Sequence, residues 1–159
     1  MITKISFKGA PSNFHIIDSN TLRSAQPDQN EFLWLKKQGV TDVINFRTYK
    51  NLSAPFDEKS VVTSLGMNYH SVSSETAHPT IGNVKKFLGI INDVKARKGK
   101  VLFHCYHGSD RTGMYALIYH MKNGMGSFAE NVADMCAKGF NQIKYPHLIE
   151  WAKKCLKVV

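Results

Sequence analysis

The residues of this chain best suited to chemistry on a phosphate ester lie together in one ten-residue segment, 104–113, which reads HCYHGSDRTG. Cys105 precedes Arg111 by six positions, and Gly108 stands between them. A thiolate is a strong nucleophile. A guanidinium group binds two phosphate oxygens at once. Because glycine adopts backbone angles that other residues resist, the intervening loop can curl its N–H groups around an anion. The spacing therefore predicts a phosphate-binding loop that carries its own nucleophile.

The helix predicted to begin near Arg111 points its positive end at the same place, which favours the thiolate form of Cys105. Arg111 would stabilise the charge on a transferring phosphoryl group. The Thr112 hydroxyl is placed to donate to the sulfur, and His104 is expected to support the loop through hydrogen bonds to its backbone. The residues expected to bind phosphate or line its pocket are Tyr106, His107, Gly108, Ser109, Thr112 and Gly113.

Strands and helices alternate on both sides of this loop, which predicts an α/β fold. Apolar and β-branched runs predict strands at 14–18 with 21–24, at 40–46, at 67–72 and at 101–103. Apolar periodicity and end signals predict helices at 27–39, 55–65, 80–95, 111–122, 127–138 and 146–156. We therefore expect residues 1–159 to form a single domain whose four- to five-stranded, mostly parallel sheet is flanked by helices on both sides. Ligands of such sheets bind beyond the carboxyl ends of the strands, where Cys105 follows its strand.

Composition limits the classes of partner and compartment. The net charge of +9 favours anionic partners, such as phosphorylated proteins or an acidic membrane surface. The basic residues are scattered, so no stable nucleic-acid complex is expected. No apolar run is long enough to span a membrane, and the first residues lack the pattern of a cleaved signal peptide. A cytoplasmic location is the expectation, with export by another route as the alternative. The sequence does not indicate an oligomeric state.

The three cysteines, Cys105, Cys136 and Cys155, are an odd and widely spaced set. This favours free thiols over a disulfide framework, and no CxxC pair suggests structural zinc. Cys136 and Cys155 lie on predicted helices and are expected to be inert.

The segment 104–113 resembles the signature loop of the protein tyrosine phosphatase superfamily, whose pattern is HCxxGxxR[ST]G. All six fixed positions match: His104, Cys105, Gly108, Arg111, Thr112 and Gly113. The segments RSAQP at 23–27 and GV…VINFR at 39–47 are similar to the N-terminal half of compact dual-specificity-like phosphatases. The resemblance covers about residues 22–151. It implies a phosphocysteine intermediate on Cys105 and no metal or other cofactor. It also implies that Arg23 and Arg47 brace the fold, with contact to the phosphate as the alternative.

The proton donor for the leaving oxygen is less well marked. Many members of the superfamily carry an aspartate on a separate loop about 30 residues before the cysteine. Here that window, 73–78, reads SSETAH and offers Glu75 and His78 instead. Some branches with an xDRT loop are thought to use the aspartate of that loop, which is Asp110 here. Asp110 is therefore the preferred general acid, and Glu75 is the alternative.

The resemblance implies a phosphoric monoester hydrolase of the protein tyrosine or dual-specificity type. Phosphotyrosine in proteins is the first expected substrate, with phosphoserine or phosphothreonine next. Phosphoinositides, inositol phosphates and an RNA 5′ end are alternatives that the basic charge and the DRT-type loop would suit. A phosphate-binding module without turnover is an alternative of another class.

Overall fold

The computed structural model describes residues 7–48 and 56–159. The described strands form one five-stranded sheet. They are β1 (His15–Asp18), β2 (Thr21–Ser24), β3 (Asp42–Asn45), β4 (Asn68–Ser71) and β5 (Val101–His104). Their order across the sheet is β1-β2-β5-β3-β4. Only β1 and β2 pair in antiparallel fashion, and the other neighbours are parallel. The predicted mostly parallel sheet is confirmed.

Six helices in the described part of the chain cover the two faces of this sheet. Side chains from α1 (Gln29–Lys37) and α2 (Glu58–Ser64) pack on one face, against Leu22, Val43 and Leu102. The other face, with Ile44 and Phe103, is covered by α3 (Ile81–Ala96), α4 (Arg111–Lys122), α5 (Phe128–Ala137) and α6 (Leu148–Cys155). Successive strand residues point to opposite faces, so one strand supplies both cores. The predicted flanking of the sheet by helices on both sides is confirmed.

Element ends differ from the predictions by a few residues, for local reasons. The second helix begins at Glu58 because the Asp57 side chain caps it by accepting from the Ser60 N–H. Pro55, its predicted start, lies outside the described residues, as do residues 1–6. Within the apolar patterns that predicted the first and third helices, Leu33 and Ile81 are nevertheless 42% exposed.

The central strand β5 delivers the 104–113 segment to the carboxyl edge of the sheet. His104 pairs with Ser24 of β2 on one side and with Asn45 of β3 on the other. α4 begins at Arg111, and its residues 112–119 are all buried. The loop between β5 and α4 is therefore held by the innermost strand and the innermost helix.

At the opposite, amino edge, the Asp42 side chain is fully buried within a polar cluster. Its Oδ1 accepts from His70 Nε2 at 2.9 Å and from Arg97 Nη2 at 3.1 Å, and its Oδ2 accepts from the Thr41 hydroxyl at 2.7 Å. Burial alone would raise the pKa of Asp42, but these hydrogen bonds and the Arg97 charge hold it well below its ordinary value. The helices of the described ranges are all too short or too polar to cross a membrane.

Candidate active site

Cys105 borders a cleft of about 580 Å³ at the carboxyl edge of the sheet. The cysteine itself is 3% exposed. Four stretches of chain line the cleft: the end of β3, the 75–78 turn, the loop after β5, and a segment before α6. The lining residues are Arg47, Thr48, Glu75, Thr76, Ala77, His78, Cys105, Tyr106, His107, Asp110, Arg111, Lys144 and Tyr145. Among the predicted site residues, the structure thus brings together the cysteine, the arginine and both candidate acids.

Every backbone carbonyl of the loop, from residue 104 to residue 110, accepts a hydrogen bond. Four of these bonds come from backbone N–H groups: Phe46 to His104, Gln26 to Tyr106, Gly113 to Ser109, and Met114 to Asp110. Three come from side chains: His104 Nδ1 to Cys105, Asn13 Nδ2 to His107, and Arg23 Nη2 to Gly108. A curled loop turns its carbonyls outward, and donors here meet all of them.

Most N–H groups of the same loop, unlike its carbonyls, lack hydrogen-bond partners among the described residues. Those of residues 106–110 donate to no acceptor in the described part of the chain. Unpaired N–H groups in a curled loop at a helix N-terminus form an anion site. In this loop every carbonyl accepts a hydrogen bond, while the five N–H groups that follow Cys105 remain available to bind an anion.

Gly108 allows this loop to lie against the end of β2. Its φ is +72°, a region that favours glycine. A Cβ there would lie 2.5 Å from the Ala25 N and 2.6 Å from the Ser24 carbonyl carbon. Both are backbone atoms, which cannot move aside. The glycine predicted from the sequence is therefore required by both conformation and space.

A series of buried or half-buried side chains, linked by hydrogen bonds, supports the start of the loop. The His104 ring donates through Nδ1 to the Cys105 carbonyl, and its Nε2 lies 2.8 Å from Glu58 Oε2. Gln26 donates to the other Glu58 oxygen at 2.6 Å. Burial alone would raise the pKa of Glu58, but the charge and hydrogen bond of His104 and the Gln26 amide hold it below its ordinary value. The predicted supporting position of His104 thus has a carboxylate behind it.

Arg47 extends this series of hydrogen-bonded side chains to the rim of the cleft. Arg47 Nη1 donates to Gln26 Oε1 at 2.9 Å, and its guanidinium lies 4.8 Å from the centre of the Tyr106 ring. The His107 ring meets that ring edge-on. Arg47 therefore contacts the loop and lines the cleft, in addition to joining the end of β3 to the RSAQP segment.

Arg111 is held across the cleft by two backbone carbonyls. Its Nη1 lies 3.4 Å from both the Phe46 oxygen and the Ser74 oxygen. The Tyr115 hydroxyl donates to the Ser74 hydroxyl at 3.0 Å. Burial raises the pKa of Tyr115 to about 12, so it keeps its proton and remains a donor. The guanidinium orientation is thus set by the two chain segments that also border the cleft.

The two candidate acids occupy different walls. Asp110 Oδ1 accepts from the Asn141 N–H at 2.9 Å, which fixes the carboxyl group beside Arg111. Glu75 and His78 belong to one turn, closed by a bond from the His78 N–H to the Glu75 carbonyl. His147 Nε2 donates to Ala77 O at 2.7 Å, so the segment before α6 contacts both walls.

Four of the predicted phosphate-binding residues are absent from the lining of the cleft: Gly108, Ser109, Thr112 and Gly113. The Ser109 hydroxyl lies behind the loop, 3.5 Å from Asn13 Nδ2. The Thr112 hydroxyl is buried and has no hydrogen-bond partner among the described residues. Gly113 lies within α4, where a Cβ would be 3.1 Å from Met135 Cγ of α5. Ser109 can reach the cleft through its backbone N–H.

Sequence reasoning missed Asn13, Gln26 and Glu58 as supports of the loop. Asn13 has a φ of +51°, and its Nδ2 lies within reach of His107 O, Gly108 O and Lys138 O. An Asn before a strand and a Glu at a helix start carry no signal that separates them from ordinary turn and cap residues. Gln26 is part of the RSAQP segment, which was the one available sign.

No cluster of His, Cys, Asp and Glu that could hold a metal ion occurs within 7–48 and 56–159. The candidate site is therefore made of a thiol, a guanidinium group, free N–H groups and carboxyl groups.

Comparisons with known proteins agree with this architecture. Structurally, the chain is similar to a putative phosphatase from Shewanella putrefaciens CN-32, at 24% identity and a TM-score of 0.78, over 92% of this chain and 90% of that one. It is also similar to TpbA of P. aeruginosa, at 20% identity and a TM-score of 0.74, over 90% and 84% of the two chains.

A third similar structure is the core catalytic domain of the PP-IP phosphatase SIW14 from S. cerevisiae, at 15% identity and a TM-score of 0.74, over 91% and 85%. No curated protein matches the sequence significantly. A family model described as a DSP-PTPase phosphatase fused to NAD+ kinase matches residues 12–149. This chain therefore belongs to that family of compact, dual-specificity-like phosphatases within the protein tyrosine phosphatase superfamily.

Proposed function

We propose that the chain is one catalytic domain that hydrolyses phosphate monoesters through a phosphocysteine intermediate on Cys105, with phosphotyrosine in proteins as substrate. The observation that carries this proposal is the loop itself: the five N–H groups that follow Cys105 donate to no acceptor among the described residues, and Cys105 and Arg111 line the same cleft. Such an array binds the three non-bridging oxygens of a phosphoryl group.

In the first step the Cys105 thiolate attacks phosphorus, the S–P bond forms, and the bond to the leaving oxygen breaks. Arg111 and the loop N–H groups hold the equatorial oxygens, and fixed donors of this kind cost no reorganisation during the reaction. Asp110 gives its proton to the leaving oxygen. Its Oδ1 is fixed by Asn141 N–H, which leaves Oδ2 to carry the proton.

In the second step water attacks the phosphocysteine, and Asp110 takes a proton from that water. The S–P bond breaks and the thiolate leaves. The buried Thr112 hydroxyl, which has no partner among the described residues, is placed in the first turn after the loop. We assign it the role of donating to the departing sulfur.

The walls of the cleft support an aromatic substrate. Tyr106, which is 50% exposed, and Tyr145 both border the cleft that contains Cys105. Aromatic faces pack well against a phenyl ring. A phosphotyrosine side chain would therefore place its ring between these walls and its phosphate on the loop.

A second substrate class, inositol phosphates and phosphoinositides, is supported by a different observation. Arg47, His107 and Lys144 border the cleft in addition to Arg111. Extra cations would bind a ring that carries several phosphates.

Phosphate release without added metal tests the proposal. The panel comprises phosphotyrosine and phosphothreonine peptides, phosphoinositides, a soluble inositol polyphosphate and 5′-triphosphorylated RNA. Cys105→Ser serves as the blank and Cys136→Ser as the matched cysteine control. We expect release with wild type and Cys136→Ser, none with Cys105→Ser, and phosphotyrosine as the best substrate.

Each other outcome removes part of the proposal. Preference for a polyphosphorylated ring or for RNA would contradict the protein substrate while keeping the chemistry. Phosphopeptide binding without release from any member would contradict the enzyme and favour a phosphate-binding module.

A further inference from the structure

Arg23 is the largest of the fully buried side chains and lies behind the loop, on the side away from the cleft. It is 1% exposed. Its Nη2 donates to the Gly108 carbonyl at 2.8 Å. Its Nε is buried without a hydrogen-bond partner among the described residues. A buried guanidinium group with an unpaired N–H is costly, so the position invites a functional explanation.

Gly113 of α4 lies beside the Arg23 side chain. A Cβ on Gly113 would lie 3.9 Å from Arg23 Nη2 and 3.1 Å from Met135 Cγ. The absence of a side chain there lets Met135 of α5 pack closely against α4. Beside this contact, Arg23 Nη2 reaches the Gly108 carbonyl at the centre of the loop. Gly113, expected from the sequence to bind phosphate, thus borders the site of Arg23.

The charges around Arg23 do not neutralise it locally. Burial lowers the pKa of Arg23 to about 10, against the opposing effects of Asp134 and then Cys105. Asp134 is paired with Lys138, which faces the same region. His15 adds no charge at neutral pH, because burial and the nearby cations lower its pKa to about 4. Burial also lowers the pKa of His120, a further titratable group near Arg23.

We propose that Arg23 is a positioning residue whose buried positive charge, behind the loop, stabilises the Cys105 thiolate, and whose Nη2 holds the Gly108 carbonyl so that the loop N–H groups face the cleft. This inference rests on the proposed function. Arg23 touches neither the substrate nor the reacting atoms, so it acts through Cys105 and the loop backbone.

The two parts of this role make different demands on the side chain. Charge stabilisation needs a cation at that place, which lysine also supplies. Holding the carbonyl needs the reach and planar geometry of a guanidinium group. A purely structural brace would need neither charge nor reactivity at Cys105, and its loss would show as reduced stability.

Three variants separate these demands. Arg23→Met removes the charge, and Arg23→Lys keeps a charge but lacks the planar guanidinium group. Thr21→Val is the matched control. Thr21 is fully buried in the same strand and on the same face, and its hydroxyl bonds to Tyr119 rather than to the loop. Each variant is measured for kcat/KM on p-nitrophenyl phosphate and for the iodoacetamide alkylation rate of Cys105 at pH 6.5. Alkylation of Cys136 is the internal reference, and Tm is recorded.

For Arg23→Met we expect a loss on the order of 10²-fold in kcat/KM and about tenfold in Cys105 alkylation. Its Tm should be no lower than that of Thr21→Val, because removal of a buried charge offsets the loss of the hydrogen bond. Arg23→Lys should keep the alkylation rate within about threefold and lose about tenfold in kcat/KM.

Three results would overturn the proposal. One is wild-type turnover and alkylation in Arg23→Met. Another is a loss of activity that follows Tm in the same proportion as in Thr21→Val. The third is Cys105 alkylation that falls equally in Arg23→Lys and Arg23→Met, which would leave only a brace. A wild type that releases no phosphate would instead contradict the proposed function, and the alkylation rates would still test Arg23.

Discussion

At the amino edge of the sheet, Asp42 is buried with both carboxylate oxygens bonded to Thr41, His70 and Arg97. At the carboxyl edge, the loop after β5 has all of its carbonyls bonded, and five of its N–H groups donate to no acceptor within residues 7–48 and 56–159. The buried side-chain polar atoms that lack partners in the described part of the chain are Arg23 Nε and Thr112 Oγ1, and both lie at this second edge. At the amino edge the polar groups of the cluster bond to one another. At the carboxyl edge the loop keeps N–H donors without acceptors among the described residues.

The polar cluster around Asp42 stabilises the fold, whereas the N–H groups of the loop after β5 are available to bind a ligand. Buried polar groups are normally satisfied, and exceptions concentrate where function requires them. The hydrogen bonds from Thr41, His70 and Arg97 keep Asp42 ionised and occupy both of its oxygens, so Asp42 is not available to a substrate. The loop carries unpaired donors that an anion would satisfy. Substitutions at the two edges should therefore affect stability and turnover separately.

The largest effect is expected for Asp110→Asn at the carboxyl edge. Loss of a general acid should lower kcat on a phosphotyrosine peptide by about 10²- to 10⁴-fold. The loss should be smaller on p-nitrophenyl phosphate, whose leaving group needs less protonation. Glu75→Gln is the matched variant on the opposite wall and should change kcat less than about threefold on the same scale. A large loss in Glu75→Gln with little in Asp110→Asn would assign the acid to the other wall.

Arg111→Lys should cost on the order of 10²-fold or more in kcat/KM, because a point charge does not replace a fixed two-pronged donor. Its Tm should stay close to that of wild type. The same substitution at the amino edge, Arg97→Lys, should leave kcat/KM unchanged. Full activity in Arg111→Lys would show that this guanidinium does not hold the phosphate. Steady-state kinetics of the two variants, side by side, make the comparison direct.

Asp42→Asn should lower the free energy of unfolding by about 2 kcal/mol, the scale of a lost hydrogen bond to a charged group. Turnover per folded molecule should not change, since Asp42 lies at the far edge from Cys105. Urea denaturation followed by activity at low urea measures both quantities. Asp93→Asn, on the exposed partner of Arg97, is the control and should stay within about 0.5 kcal/mol of wild type. Lost turnover in folded Asp42→Asn would contradict the separation of the two edges.

The smallest effect concerns pH. The pKa of Asp42 in the folded protein lies well below its ordinary value of 3.8. Its stabilisation is therefore complete above the pKa of the unfolded chain and is lost as pH falls through the lower, folded pKa. The difference in unfolding free energy between wild type and Asp42→Asn should shrink as pH drops below about 4. A difference that stays constant from pH 7 to pH 3 would exclude this charge as the cause.

The sequence predicted the sheet and the loop well, because both depend on local signals. A run of β-branched residues marks β3, a short apolar run marks β5, and the segment 104–113 carries its residues in one short stretch. The supports of the loop are different in kind. Asn13, Gln26 and Glu58 come from three separate stretches of chain, so only the folded structure shows that they meet at residues 104–108.

Arg23 shows the same limit more sharply. The resemblance placed it as a brace of the fold, and the structure places its guanidinium on the Gly108 carbonyl of the loop. Gly113 was expected to bind phosphate, and the structure places it where α4 packs closely against Met135 of α5 and beside Arg23. A residue type states which bonds a side chain can form, and the packing of distant elements decides which one it forms.

The central claim is that Cys105 carries the phosphoryl group, and rapid acid quench tests it most directly. Wild type and Cys105→Ser are mixed with phosphotyrosine peptide, stopped within the first turnover, digested, and analysed by mass spectrometry. We predict one phosphoryl group on the Cys105 peptide of wild type, which disappears as substrate is exhausted, and none on Cys136 or Cys155. Phosphate release at the wild-type rate with an unmodified Cys105, or turnover by Cys105→Ser, would contradict it.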